Sequence, residues 1–93
     1  MPLYWISYDL DKPGQDYSDL IDRLKQHKAQ EVTRSDWLLA SDWTPAQIKK
    51  DLLVYLDDND RIIVAELRYN AAWNNLLIPG DSVLKLFTDY AAR

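Results

Sequence analysis

Asp9 stands where the first apolar run of the chain stops. Leu3-Tyr4-Trp5-Ile6-Ser7-Tyr8 precede it, and the turn signal Asp11-Lys12-Pro13-Gly14 follows. Carboxylates are rarely buried without a partner, so the edge of a sheet is where a fold can hold one for chemistry. Asp9 is therefore the first residue to suspect of a catalytic role. The alternative is that it begins the loop, since Asp is a common turn residue.

The other reactive side chains give weaker patterns. His27 is the chain's one histidine, and no Ser or Cys stands with it in a recognisable hydrolase motif. It reads as an exposed residue near a helix end, where its charged form suits the dipole. Ser35 reads as a bulge or hairpin point, or else as a residue facing the Asp9 site. Asp57-Asp58-Asn59-Asp60 suggests calcium, but an EF-hand loop starting at Asp57 needs Gly where Ile62 stands and Glu where Arg68 stands. The run is a turn. Arg34, Lys49 and Lys50 are candidate nucleic-acid contacts, against the ordinary reading of a solvated charged face. Trp5, Trp37, Trp43 and Trp73 could stack on bases. Trp5 and Trp37 fall on strands and are more simply core or sheet-face residues, while Trp73 reads as an interface anchor or a cover for the core.

Ninety-three residues, 47% hydrophobic, make one domain with a real core. There is no Cys, which excludes disulfides and thiolate metal sites. No apolar stretch is long enough to span a bilayer, and the N-terminus lacks the pattern of a signal peptide, so the expectation is a cytoplasmic protein with no membrane role. The net charge of -4 and pI near 4.7 argue against a strong non-specific grip on nucleic acid.

Periodicity places these residues on elements. A strand covers residues 3–9. A helix follows over 16–28, with Tyr17, Leu20, Ile21 and Leu24 on one face and Asp16 as its cap. Residues 30–41 read as a hairpin or bulged strand pair around Arg34-Ser35-Asp36. Thr44-Pro45-Ala46-Gln47 is a helix start with a capping box, and that helix carries Ile48, Leu52, Leu53 and Leu56 inward. Residues 61–68 form the last long strand. The order is an α+β, ferredoxin-like βαββαβ pattern, an antiparallel sheet with both helices on one face. The core is residues 3–68 of a single 1–93 domain. The extension over 70–93 holds a short strand or arm around Trp73 and a C-terminal helix capped by Asp81, whose Val83, Leu86, Phe87 and Tyr90 must dock on something.

Three stretches together resemble the small CRISPR-associated Cas-two family. They are the strand ending Tyr8-Asp9-Leu10, the block Val32-Thr33-Arg34-Ser35-Asp36-Trp37, and Asp60-Arg61-Ile62-Ile63-Val64-Ala65-Glu66-Leu67. Ile6-Ser7-Tyr8-Asp9-Leu10-Asp11-Lys12-Pro13-Gly14 is closer still to a SinR-like branch near that family. The resemblance implies a homodimer, related to the VapD-type toxins, in which Asp9 meets its mate across a two-fold axis. The pair would hold a divalent metal, Mg2+ or Mn2+, for phosphodiester cleavage, with Asp11 as a helper ligand. Two readings stand beside this one: a non-catalytic dimer that binds another protein, and a VapD-like toxin that cuts RNA. Two departures are visible. Typical members are basic where they face DNA, and the position after Ser35 is usually apolar, whereas here it is Asp36.

Overall fold

The computed structural model describes residues 1–11 and 17–93. The Pro13-Gly14 turn and the Asp16 cap lie outside them. The elements are β1 (Leu3–Asp9), α1 (Ser18–Gln26), β2 (Gln30–Thr33), β3 (Asp36–Ala40), α2 (Pro45–Leu53), β4 (Arg61–Glu66) and α3 (Gly80–Tyr90). The four strands form one sheet in the order β2-β3-β1-β4, every neighbouring pair antiparallel. The architecture is α+β.

β1 is central and apolar on both faces, and its alternation divides the core in two. Tyr4, Ile6 and Tyr8 point to one side and pack with Trp37 and Leu39 of β3, Leu20 and Leu24 of α1, and Ile48 and Leu52 of α2. Leu3 points to the other side and packs with Val32, Leu38, Val83, Phe87 and Ala91. So α1 and α2 cover one face, while α3 seats on part of the opposite face. Ile6, Leu20, Leu24, Ile48 and Leu52 are fully buried, each worth about 1.5–3 kcal/mol of transfer free energy.

The local signals act as their chemistry requires. Thr44 caps α2, its hydroxyl accepting from the Gln47 N–H while the Gln47 side chain accepts from the Thr44 N–H. Pro45 opens the helix. Ser35 turns the chain between β2 and β3 with φ of 70°, a left-handed conformation that costs a non-glycine residue about 1 kcal/mol. Its carbonyl accepts the Tyr8 N–H at 3.1 Å, which ties the hairpin tip to β1. β2 carries an irregularity between Glu31 and Thr33, as the bulged reading expected.

Several expectations need correction. α1 is shorter than 16–28, ending at Gln26 with Lys28 left-handed just beyond. Leu53 is 46% exposed because it directly follows buried Leu52, and one helical step of about 100° turns it off the inward face, while Leu56 does pack on the first core. Asp81 lies in the first turn of α3 and does not cap it; Pro79 occupies the cap position. Residues 70–79 form an arm whose Leu77 N–H donates to the Val32 carbonyl, which satisfies part of the β2 edge. A parallel bridge joins Arg68 to Ala92, so the chain end returns to the sheet. No described helix is long and apolar enough to cross a membrane.

Candidate functional site

Asp9 is the last residue of β1 and sits opposite Arg61 of β4. Its Oδ2 accepts from Arg61 Nη1 at 2.9 Å, and both side chains are largely exposed. Odd-numbered β1 residues share the face that holds α3, but α3 packs near Leu3, six residues away. At strand spacing that is about 20 Å. Among the described residues, the end of the face around Asp9 is therefore left uncovered by α3. Here Ser7, Tyr8, Asp9, Arg61, Ile62 and Ile63 line a shallow depression of 210 Å3, and Ile63 is half exposed.

Asp36 lies on the same open end, paired in register with Ser7. Its carboxylate accepts from the Trp5 indole N–H at 3.2 Å and the Thr33 hydroxyl at 2.5 Å. Burial pushes its carboxyl up, but hydrogen bonds from Ser7, Thr33 and Trp5 together outweigh that and hold it below the usual carboxylate range. Asp36 thus stays ionised inside a ring of donors. This accounts for a polar residue at the position after Ser35. It also fixes Trp5 on the sheet face, where it is half buried.

Asp11 is exposed, and its backbone N–H donates to Asp60 Oδ1 at 2.8 Å. Asp60 also accepts from the Tyr17 hydroxyl and the Asp57 N–H. The acidic run is therefore a turn whose last carboxylate joins Asp11, Tyr17 and Asp57. Among the described residues, no group of three or more His, Cys, Asp or Glu side chains converges as a metal site. A single chain brings Asp9, with Asp11 two residues away. In the single chain the Asp9 carboxylate is engaged by Arg61, and Asp11 is exposed.

The candidate phosphate contacts are scattered. Arg34 is exposed at the β2–β3 turn, and Lys49 and Lys50 are exposed on α2, across the sheet from Asp9. Trp73 is partly exposed and stacks on Phe87 of α3, ring centroids 5.9 Å apart. It covers the second core within its own chain.

Sequence reasoning missed one cluster. His27 is only 11% exposed at its side chain, where an exposed residue was expected. Its Nε2 lies 2.8 Å from Asp51 Oδ2, and Arg23 holds both Asp51 oxygens at 2.8 and 2.9 Å. The Arg23 hydrogen bonds, aided by His27, hold the Asp51 carboxyl below its ordinary range against partial desolvation. Trp43 meets His27 edge-on at 5.0 Å. The amphipathic pattern showed that α1 and α2 share a core, but nothing in it paired residues 24 and 28 positions apart.

No family model matches this chain, and no solved structure gives a significant match to it.

Proposed function

We propose that this chain is a ferredoxin-like, Cas-two-like protein that works as a homodimer on nucleic acid. Its phosphodiester cleavage depends on a divalent cation, Mg2+ or Mn2+, held by Asp9 of both copies with Asp11 as helper. The fold part is supported by the β-α-β-β-α-β order with β3 between β1 and β2 and with β1 between β3 and β4, so both crossovers are split. The observation that carries the functional part is the place of Asp9: it ends a central strand on the half of a sheet face that α3 leaves open. A two-fold contact on that half uses the same patch from each copy and brings the two Asp9 residues toward one axis.

Facing carboxylates repel unless a cation or proton lies between them. When bound, the cation would polarise a phosphoryl oxygen and lower the pKa of water. The chain's own residues do the positioning. Arg61 holds the Asp9 carboxylate until it is needed, and an exposed pair of this kind is worth at most about 1 kcal/mol, so it yields readily. Tyr8, whose hydroxyl accepts from the Trp37 indole N–H, anchors the strand end beneath.

The test uses labelled RNA and DNA with Mg2+ or Mn2+ and then with chelator. Cleavage should require the metal and be lost in Asp9→Asn. Metal-dependent cleavage that survives unchanged in Asp9→Asn removes the assignment.

A second reading, a dimer that binds a protein partner without cleaving nucleic acid, is favoured by the acidic balance of the chain. Absence of any nucleic-acid binding at low salt, where attraction is strongest, selects it.

A further inference from the structure

A second open depression lies across the sheet from Asp9, where the end of α1 meets the first turns of α2. It measures 390 Å3 and is lined by Trp43, Gln47, Lys50 and Asp51. That volume falls in the range of small-molecule sites. Its wall is the indole of Trp43, whose backbone is tied to β1 and whose ring meets His27. The Trp43 carbonyl accepts from the Tyr4 hydroxyl at 2.7 Å, and His27 packs edge-on against the ring. Yet the side chain remains 40% exposed. A large aromatic that meets a neighbouring ring and is left partly open offers a stacking surface.

The polar groups around that wall are biased toward donors. Gln47 Oε1 is committed to the Thr44 N–H, which leaves its amide nitrogen to face a ligand. Asp51 is already neutralised by the two-point Arg23 contact and is also hydrogen-bonded to His27 Nε2. Lys50 makes no ion pair among the described residues. The depression therefore combines an aromatic wall, an amide donor and an unspent cation beside a carboxylate whose charge is balanced. A ligand that satisfies all of these is flat and aromatic at one end and anionic at the other.

We infer that this depression binds a nucleotide, its base stacked on Trp43 and its phosphate at Lys50. The source is either a free mononucleotide or one residue of a single strand, and the two share this chemistry. The site is independent of Asp9 and of the cleavage reading, since the sheet separates them.

The probe is AMP, titrated into the whole protein while the indole N–H resonances are followed by NMR, with the Trp43 signal assigned through Trp43→Phe. AMP should shift that signal saturably. Ribose 5-phosphate and adenosine, each lacking one half of the ligand, should bind about tenfold more weakly. Lys50→Gln should weaken AMP by about tenfold and leave adenosine unchanged. Unchanged resonances from the sheet core would show that each variant remains folded. A short single-stranded RNA that binds more tightly than AMP identifies the strand as the source, and equal or weaker binding identifies the free nucleotide. No Trp43 response to AMP up to about 10 mM overturns the inference, as does ribose 5-phosphate binding as well as AMP.

Discussion

Asp36 and Asp51 show how single carboxylates are put to structural use. Each is held ionised by donors, Asp36 by nearby Thr33 and by Ser7 and Trp5 of β1, and Asp51 by Arg23 and His27. Because folding lowers these two values, both residues stabilise the protein fully above their unfolded range near pH 4. That contribution is lost as the pH falls through the lower folded values. Thermal melts should therefore show Asp51→Asn less stable than the native chain at pH 7, with the gap closing toward pH 2. A gap that widens in acid would contradict the assignment. The place of Asp9 at the end of β1 was legible at this scale because it closes a largely apolar run. The partners of Asp51 were not, because Arg23 and His27 lie on another helix and only the fold brings them within reach. The same holds for Asp36: sequence marked it as a departure, and the ring of donors explains it.

At the scale of elements, the best-read feature was the start of α2. The Thr44–Gln47 capping box is a local code in which both hydrogen bonds form within four residues, so no tertiary context is needed to see it. Thr44→Ala should cost about 1 kcal/mol in urea denaturation, with an unchanged slope. α3 was legible as amphipathic but not in its docking partner. Period alone cannot say which surface a helix meets, and its seat depends on Leu3, Val32 and Leu38 from three separate strands. If α3 belongs to the cooperative unit, Phe87→Ala should destabilise the whole domain by about 3 kcal/mol in one transition. A separate early transition would show that α3 is an independent attachment. Leu53 was misread for a simple reason. It sits one helical step, about 100°, past buried Leu52 and so off the inward stripe.

For the whole molecule, the sheet divides two candidate activities. On one side, α1 and α2 frame the depression under Trp43; on the other, α3 covers one end and leaves Asp9, Ser7 and Ile63 at the open end. In the proposed dimer, the half-exposed Ile63 on that end would lie within the two-fold contact. Ile63→Arg places like charges across such a contact, so it should shift sedimentation toward the monomer while the circular dichroism spectrum stays unchanged. A native chain that is monomeric at micromolar concentration would remove the shared site. The most direct measurement is Mn2+ binding by calorimetry alongside the mass in solution. The account predicts one ion per two chains, lost in Asp9→Asn while the dimer persists. Binding that is unaffected by Asp9→Asn, or absent from an intact dimer, would contradict it.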